Sequence, residues 1–204
     1  MTGASGACYG VRLVKALTGL GRRVALILSE PARLVIREEL GIALKSFTSI
    51  EDLAEVFGPG ITGWVDAYSP RDFSAAVASG SYPTEGMVIM PCSMGTLGAI
   101  AAGISQNLIH RAADCTLKEG RKLILVPRET PLHALHLENM LKLARVGVRI
   151  VPAMPAFYSG AQTLDEMIDF MVGKVLDQLG IAHALYPRWT GIAADRPSLT
   201  NKIQ

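Results

Sequence analysis

The most informative stretch of the sequence is Lys122-Leu-Ile-Leu-Val-Pro127, which is followed directly by Arg128-Glu129-Thr130-Pro131. The aliphatic run predicts a buried strand that ends at Pro127, because proline lacks the N–H that a sheet requires. A guanidinium and a carboxylate follow at once, where the chain leaves the carboxyl end of the strand. Ligands of open α/β sheets bind at that edge. Arg128 and Glu129 are therefore the first candidate site residues.

The composition is that of a globular α/β protein. The chain has 204 residues, of which 50% are hydrophobic and 19% are charged, and this length is enough for one domain with a full core. The net charge of +2 and the lack of a basic run interleaved with aromatic residues argue against a nucleic-acid partner or an anionic membrane surface. No apolar run approaches the roughly 20 residues of a membrane span. The high apolar content favours burial between subunits, so a homo-oligomer is expected.

The metal-binding residue types are scattered. Cys8, Cys92 and Cys115 do not have metal-ligand spacing, and the four histidines form no cluster in the sequence. No metal site is therefore predicted. No secretory signal precedes the cysteines, so reduced thiols and a cytoplasmic location are expected.

Strand and helix signals alternate through the chain. Further buried strands are predicted at 23–28, 86–90 and 148–151, with helical patterns between them. A long helix is predicted to start at Pro131 and a short one to cover 72–78. The alternation predicts an α/β fold, namely a three-layer α/β/α, doubly wound, mainly parallel sheet of the Rossmann or flavodoxin-like kind. Residues 1–190 are expected to form a single flavoprotein domain, and 191–204 a C-terminal tail.

A glycine-rich turn, Gly3-Ala4-Ser5-Gly6, opens the chain and leads into a predicted helix. In a doubly wound sheet a strand comes before such a turn. A strand is expected to be needed at that position for the sheet to be stable. The other predicted strands end at Ser29, at Ser93, at Arg128 and in the loop 154–158.

These strand ends should meet along one edge of a parallel sheet, and several of them begin helices. Helix N-termini favour anions, and the hydroxyls of Ser5 and Ser93 add donors. The pattern indicates a nucleotide- or flavin-phosphate site. Each part also has an ordinary interpretation, because Gly3–Gly6 could be a tight turn and Ser29 and Ser93 could be plain helix caps.

Basic residues give a second signal. Arg111 and Lys118 are seven residues apart on one predicted helix, which puts them on the same face about two turns apart. Lys174 borders the apolar stripe of the last helix. A solvated face for the first pair and a snorkelling lysine for Lys174 explain the same spacing, so the residues alone leave both interpretations open.

A series of ordered motifs extends from Thr2 to about Trp189. They are Thr-Gly-Ala-Ser-Gly-Ala at 2–7, Ser-Gly-Ser at 79–81, Gly-Met-Val-Ile-Met-Pro-Cys-Ser at 86–93, Arg-Ala-Ala-Asp at 111–114, Leu-Lys-Glu at 117–119, Arg-Glu-Thr-Pro-Leu-His at 128–133, Pro-Ala-Phe-Tyr at 155–158 and Val-Leu-Asp-Gln at 175–178. Through these motifs the chain resembles the flavin prenyltransferases, the UbiX/Pad family. So many motifs in one order make the resemblance specific.

The resemblance implies a reaction that needs no metal. A dimethylallyl group would pass from dimethylallyl monophosphate to reduced FMN and join the flavin N5 and C6 through a fourth ring. The product, prenylated FMN, would serve a UbiD-type decarboxylase as its cofactor. Members of the family assemble as dodecamers with sites shared between subunits, so a dodecamer is expected here too.

The resemblance also implies roles for individual residues. Tyr158 and Lys174 would bind the substrate phosphate with Arg111 and Lys118 nearby, and an aromatic ring such as Phe73 or Tyr158 would stabilise allylic cation character. Catalysis would use Glu129 and Glu39, which match positions linked to proton handling, together with Ser5. The FMN site would comprise Gly3, Ala4, Ser5, Ser29, Ser93, Met94, Gly95, Thr96 and Arg128.

Two departures from the family pattern stand out. Lys174 occupies a position where the family usually carries arginine, which keeps the charge but loses the bidentate geometry of a guanidinium. Gly95 replaces a lysine that many members have. Two alternatives remain beside prenyl transfer. One is an FMN-dependent cysteine decarboxylase-like flavoprotein, although Pro152-Ala-Met-Pro155 lacks the expected asparagine and residues 5–20 contain no histidine. The other is a non-catalytic FMN-binding carrier subunit.

Overall fold

Parallel strands alternate with helices in the computed structural model, which describes residues 1–189. The C-terminal tail predicted at 191–204 lies outside the described residues. Short 3-10 turns lie at Pro59–Ile61, Ala76–Ala78 and Phe157–Ser159. The strands are β1 (Val24–Ile27), β2 (Val65–Tyr68), β3 (Gly86–Cys92), β4 (Lys122–Pro127) and β5 (Arg149–Ile150). The helices are α1 (Ala7–Gly19), α2 (Glu30–Leu40), α3 (Ile50–Phe57), α4 (Met94–Ala101), α5 (Leu108–Lys118), α6 (Ala134–Arg145) and α7 (Leu164–Leu179).

β4 is the central strand of a three-stranded parallel sheet in the order β3-β4-β5. Leu123 and Leu125 pack into the core that contains α4 and α5, whereas Ile124 and Val126 pack against α7 on the other face. Successive side chains of a strand point to opposite faces, so a strand covered on both sides must be apolar at every position. The layered α/β architecture predicted from the strand–helix alternation is confirmed.

The remaining strands, β1 and β2, form a separate parallel pair. Within residues 1–189, β1 and β3 do not pair with each other, and the first two residues connect them. The amino group of Met1 donates to the Ile27 carbonyl at 2.8 Å, and the Ser29 N–H donates to the Met1 carbonyl at 3.1 Å. On the other side the Thr2 N–H donates to the Pro91 carbonyl at 3.1 Å. Residues 1 and 2 therefore form one rung between the two sheets.

A cavity of about 630 Å³ lies beyond this rung, between the facing edges of β1 and β3. Its lining includes Leu26 from β1, Val88 from β3 and Leu13 from α1. Burial in this region lowers the pKa of the Met1 amino group from 8.0 to about 5, because the charged form loses its hydration. The strand edges and apolar side chains that line this cavity fit an extended apolar segment.

Two helix predictions were wrong. The helix expected from Pro131 begins at Ala134, because His133 is still extended, with φ −105° and ψ 169°, and serves as the N-cap. The short helix expected over 72–78 is only the 3-10 turn Ala76–Ala78, since Asp72 instead accepts hydrogen bonds from the Ser74 backbone and hydroxyl. Short polar side chains that bond their own backbone compete with helix formation.

The strand predicted at 86–90 extends further, through Pro91 to Cys92. The capping box predicted at Thr163 and Glu166 is confirmed: the Glu166 N–H donates to the Thr163 hydroxyl, and the Thr163 N–H donates to the Glu166 carboxylate, both at 3.2 Å. Among the helices of residues 1–189, none is both long enough and apolar enough to cross a membrane.

Candidate functional site

Glu39 caps the first helix. Gly6 precedes α1 in the left-handed region, with φ 102°, and offers no side chain to the free N–H groups of the helix. The carboxylate of Glu39, near the end of α2, accepts from the Gly6 N–H at 2.9 and 3.0 Å and from the Ala7 N–H at 2.7 Å. The positive end of α1 thus already holds an anionic group.

The hydrogen bonds to Glu39 lower its pKa. Partial burial acts to raise the pKa, but the Ser5 side chain, the Gly6 and Ala7 N–H groups and the nearby Arg128 charge outweigh it. Glu39 is therefore a carboxylate at neutral pH and stabilises the glycine-rich turn in that form. Ser5 belongs to the same network as the carboxylate.

A second turn at this edge is built around Ser93. Its hydroxyl accepts from the Thr96 N–H at 3.3 Å and donates to the Thr96 hydroxyl at 3.1 Å, so it caps α4. The Ser93 N–H donates to the Thr2 hydroxyl at 2.8 Å, which ties this turn to the first one. Met94 is partly buried against the core, whereas a side chain added at Gly95 would meet nothing within 4 Å.

Ser29 caps α2 in the same way, with its hydroxyl accepting from the Ala32 N–H at 3.1 Å. The glycine-rich turn lies close to the start of α2, because a Cβ added at Gly3 would lie 2.3 Å from the Pro31 Cβ. Only glycine fits at that approach. Ala4, next in the turn, is buried. The interpretation of Ser29 and Ser93 as helix caps is confirmed, and their role in binding a flavin phosphate stays a prediction.

Arg128 and Glu129 are exposed at the carboxyl end of β4. The Arg128 Nε lies 3.5 Å from the Ser5 carbonyl, so the guanidinium reaches the glycine-rich turn. The Glu129 carboxylate accepts from the N–H of Thr130 at 3.1 Å. We call the set formed by residues 3–6, 93–96, Ser29, Glu39 and residues 128–129 the strand-edge site.

An aromatic pocket of about 230 Å³ lies near the end of the described chain. Tyr158 stands edge-on to the rings of Phe170 and Trp189, with ring centroids 6.4 and 6.1 Å away. The Phe170 and Tyr186 rings are 5.0 Å apart. The pocket is lined by Tyr158, Ser159, Phe170, Lys174, Asp177, Tyr186, Pro187, Arg188 and Trp189.

Lys174 supplies a positive charge to the aromatic pocket. Its Nζ lies 5.8 Å from the Phe170 ring centroid and 6.0 Å from that of Tyr186, both within cation–π range. Within residues 1–189, no carboxylate lies at salt-bridge distance from Lys174, so an incoming anion would not have to displace one. The snorkelling interpretation of Lys174 is incomplete, because the ammonium faces a lined pocket.

The chain enters this pocket from the strand edge. The Ala153 N–H donates to the Pro127 carbonyl at 3.0 Å, so the segment after β5 leaves the sheet beside Arg128 and leads to Tyr158. Tyr158 therefore approaches the aromatic pocket from the side of the strand-edge site. The last turn of α7, next to Asp177, instead lies at the amino ends of β4 and β5, because Lys122 and Arg149 donate to the carbonyls of Leu179 and Gln178.

Three predicted residues do not line the aromatic pocket of the same chain. The Arg111 Nε donates to the Ala78 carbonyl at 3.0 Å, and its Nη1 bonds Asp114 at 2.9 Å. Lys118 pairs with Glu119 at 3.0 Å. Phe73 is half exposed in the loop after β2. The predicted pairing of Arg111 and Lys118 on one exposed helix face does not by itself bring them to Tyr158 and Lys174.

Several pocket residues were missed from the sequence. Asp177, Tyr186 and Arg188 line the pocket but were not among the predicted site residues. Asp177 lies three residues after Lys174 on α7, a spacing that places the two on one helix face, and this was the available signal. Within residues 1–189, no group of three or more His, Cys, Asp or Glu side chains is placed to hold a metal ion.

The arrangement resembles known flavoproteins. A model of the Flavoprotein family matches residues 1–176. The flavin prenyltransferase UbiX of Halalkalibacterium halodurans is 53% identical over 189 residues, which cover 93% of this chain and 90% of that protein. The UbiX protein of Methanothermobacter thermautotrophicus is 49% identical over 191 residues, covering 94% of this chain and 93% of that protein.

Solved structures of other proteins have a similar fold. A crystal structure of AnUbiX in complex with FMN and dimethylallyl pyrophosphate superposes with a TM-score of 0.82 at 38% identity, covering 95% of this chain and 96% of that one. A dodecameric FMN-dependent UbiX-like decarboxylase from Escherichia coli O157:H7 gives 0.80 at 42% identity, covering 94% and 100%. An FMN-dependent cysteine decarboxylase from thioviridamide biosynthesis gives 0.56 at 15% identity, covering 88% and 94%, which shows a shared fold alone.

Proposed function

The chain belongs to the Flavoprotein family and, within it, to the UbiX flavin prenyltransferases, and from this premise we propose that it transfers a dimethylallyl group from dimethylallyl phosphate to reduced FMN. The prenyl C–O bond would break and the phosphate would leave as the prenyl carbon bonds to N5, which loses its proton. The prenyl C=C would then take up a proton while its tertiary carbon bonds to C6, and C6 would lose its hydrogen as a proton. FMN would supply the nucleophilic atoms and is also the group that is modified.

One observation carries the proposal: the chain forms two sites of different chemistry, and the segment after β5 leads from one to the other. The strand-edge site brings together the Ser93 and Thr96 hydroxyls and the Arg128 guanidinium, while Glu39 occupies the N–H groups of Gly6 and Ala7. The aromatic pocket offers edge-on and tilted rings and the Lys174 ammonium. The first set suits a flavin and its phosphate, and the second suits a short unsaturated hydrocarbon that carries a phosphate.

In the strand-edge site, FMN would lie against Gly3, Ala4 and Ser5, with Ser29 and Arg128 completing the contacts. The turn from Ser93 through Met94 and Gly95 to Thr96 would donate from its backbone and hydroxyls. The close fit of Gly3 against Pro31 supports this assignment, because it keeps the turn low enough for a ligand to approach the backbone.

In the aromatic pocket, Lys174 and the Tyr158 hydroxyl would bind the phosphate of the donor. A phosphate leaves more readily when its charge is neutralised, and fixed cationic donors do this without a metal. The rings of Tyr158, Phe170 and Trp189 would stabilise positive charge that develops on the allylic carbons. Phe73, Arg111 and Lys118 remain proposed donor-site residues, and because they do not line this pocket we propose that a neighbouring subunit supplies them.

Glu129 and Glu39 would handle protons. Glu129 is exposed at the end of β4 beside Arg128 and is proposed to accept a proton during ring closure. Glu39 is already ionised and bonded to the glycine-rich turn, so its role would be to hold Ser5 and the turn in place.

We also propose a homo-oligomer, a dodecamer as in the Escherichia coli relative, with a UbiD-type decarboxylase as the recipient of the prenylated FMN. Exposed leucines on α6 support assembly, since Leu135, Leu137 and Leu141 are 64%, 52% and 51% exposed. Light scattering after size exclusion should give twelve copies, and a stable monomer would contradict this part of the proposal.

Anaerobic incubation with reduced FMN and dimethylallyl monophosphate tests the activity. Mass spectrometry of the released flavin should show the gain of one C5H8 unit, and parallel reactions with dimethylallyl pyrophosphate should establish the phosphate form. Bound FMN that never gains this mass would instead support a non-catalytic FMN carrier. Loss of CO2 from a cysteine-ended peptide would support the cysteine decarboxylase alternative.

A further inference from the structure

We infer that Asp177 is a positioning residue for the aromatic pocket: it binds residues 181–189 back onto α7, so that Tyr186 and Trp189 complete the wall beside Lys174. We call residues 181–189 the strap. This inference rests on the proposed function, because the occupant of the pocket is taken to be an allylic phosphate. Its experimental test includes a readout that does not depend on turnover.

Asp177 accepts hydrogen bonds from three side chains of the strap. The Tyr186 hydroxyl donates to Oδ2 at 2.6 Å, and the Arg188 guanidinium binds both carboxylate oxygens, at 2.7 and 2.8 Å. The His183 Nε2 lies 3.2 Å from Oδ1. A bidentate guanidinium–carboxylate pair is among the strongest and most directional contacts a protein makes. These bonds lower the pKa of Asp177, chiefly through Arg188, so it stays ionised.

His183 fixes the strap near its beginning. Its Nδ1 accepts from the Leu185 N–H at 3.2 Å, so the neutral imidazole carries its hydrogen on Nε2, which faces Asp177. The His183 side chain is only 1% exposed. Gly180, with φ 82°, ends α7, and Ile181, the first residue of the strap, is buried in the core.

Gly173 makes room for the strap on the surface of α7. A Cβ at this position would lie 2.5 Å from a Tyr186 ring carbon and 2.6 Å from a His183 ring carbon. A glycine inside a helix is normally unfavourable, so its presence here fits a surface against which two rings must pack closely. The strap is thus seated by shape as well as by charge.

The ion pair also sets the charge of the pocket. Asp177 and Arg188 neutralise each other, so Lys174 is left as the cation available to a phosphate. If Arg188 were absent, the Asp177 carboxylate would stand unpaired in the same pocket and repel an anionic substrate. Asp177 therefore helps only as part of the pair, and this distinguishes a positioning role from simple stabilisation of the fold.

The test uses the full-length protein and three variants: Asp177→Asn, Arg188→Gln and the double variant. The control is Asp165→Asn, which removes an exposed carboxylate from the first turn of the same helix. We expect Asp177→Asn to raise the KM for dimethylallyl phosphate about ten-fold, as loss of charge-assisted bonds implies, with kcat changed less than about two-fold and FMN affinity unchanged. Arg188→Gln should raise KM further, and adding Asp177→Asn should partly restore it.

Trypsin cleavage after Arg188 reports strap docking without any turnover. It should be about ten-fold faster in Asp177→Asn than in Asp165→Asn, because an ion-paired arginine is protected from the protease. If Asp177→Asn fails to fold, Tyr186→Phe removes a single hydrogen bond to the same carboxylate and should show both effects in weaker form. A purely structural role for Asp177 would not predict that the double variant has a lower KM than Arg188→Gln.

The inference is overturned if trypsin cleaves Asp177→Asn no faster than Asp165→Asn. It is also overturned if cleavage is faster but the KM for dimethylallyl phosphate is unchanged. A double variant that is worse than Arg188→Gln would also overturn it, since the unpaired carboxylate would then not be the cause. If the wild-type protein binds dimethylallyl phosphate by calorimetry but never prenylates FMN, the proposed function fails. In that case the dissociation constant for dimethylallyl phosphate replaces KM in the test. A higher constant in Asp177→Asn than in the wild type supports this inference, and equal constants overturn it.

Discussion

Glu39 takes the place that a capping side chain normally fills at a helix N-terminus. Because Gly6 has no side chain, the cap comes from the end of another helix, α2, and links the turn to it. Glu39→Gln removes the charge and should lower the free energy of unfolding by about 1 kcal/mol at pH 7, a typical value for a helix cap. Thermal melts measure it, with Glu38→Gln as the control, since within residues 1–189 the only ion pair of Glu38 is with Arg37.

The pH dependence of this effect follows from the sign of the pKa shift. The pKa of Glu39 is lowered in the folded protein, so its stabilisation is present above its ordinary value of 4.5 and is lost as the pH falls through the lower folded value. The difference in melting temperature between wild type and Glu39→Gln should therefore shrink below about pH 4. A difference that stays constant with pH would show that the carboxylate charge is not the cause.

Replacing Glu129 tests a catalytic role separately from cofactor binding. It is exposed and, in the part of the chain that the structure describes, accepts a hydrogen bond only from the adjacent Thr130 N–H, so Glu129→Gln should leave folding and FMN affinity unchanged. As the proposed proton acceptor, its loss should reduce kcat by roughly a hundred-fold or more. Single-turnover formation of prenylated FMN measures this, with Glu138→Gln on α6 as the control. Equal rates would remove Glu129 from the mechanism.

At the scale of elements, α7 has two faces with different tasks. One face buries Val172, Val175 and Leu176 against β4, and the other carries Lys174 and Asp177 into the aromatic pocket. Gly173→Ala should increase the helical propensity of α7 by about 1 kcal/mol and yet weaken strap docking, because the new methyl group meets the Tyr186 and His183 rings. Faster trypsin cleavage after Arg188 is the expected result.

Gly98→Ala in α4 is the matched control for this prediction. Among the described residues, its Cβ would meet only the Asn139 Nδ2, at an ordinary 3.5 Å. It should gain helical propensity without any change in strap docking. Equal cleavage rates in the two variants would show that Gly173 is not required for the fit of the strap.

The elements also show what the sequence could and could not predict. β4 was predictable at both ends because the buried aliphatic run begins after the exposed Lys122 and Pro127 ends it. The start of α6 was not, since Pro131 is compatible with a first helical turn but does not require one. The residues of the strand-edge site were predicted from the strand ends, except Glu39, which lies near the end of α2 and was implied by the family resemblance alone. The strap was not predicted, because its contacts with Asp177 join residues whose pairing no periodic pattern indicates.

At the scale of the whole molecule, the space between β1 and β3 should accept a strand. Five β-branched residues placed before Met1 should raise the melting temperature by roughly 5 °C or more, because they bury apolar surface and pair both free edges. A glycine–serine extension of equal length is the control. Similar melting temperatures for the two extensions would contradict this.

The same extension should change the pH dependence. A free Met1 amino group has its pKa lowered to about 5 by burial, so the unfolded chain binds more protons than the folded one between pH 5 and 8. Stability should therefore rise with pH across that window. An extension turns the amine into an amide, and the slope should disappear. Melting temperatures at several pH values, with and without the extension, measure this.

The single rung at Met1 and Thr2 has a consequence for local opening. One core cluster contains most of β1 and β2 with α2 and α3, whereas the clusters around β4 use α4, α5 and α7. Ile27 of β1, Tyr68 of β2 and helix α1 contact both sides. Units joined by few hydrogen bonds exchange their amide protons with different opening energies. Amides of β1 and β2 should exchange with deuterium earlier, as a group, than those of β4. The half that supplies Glu39 to the glycine-rich turn would then loosen while the aromatic pocket stays formed.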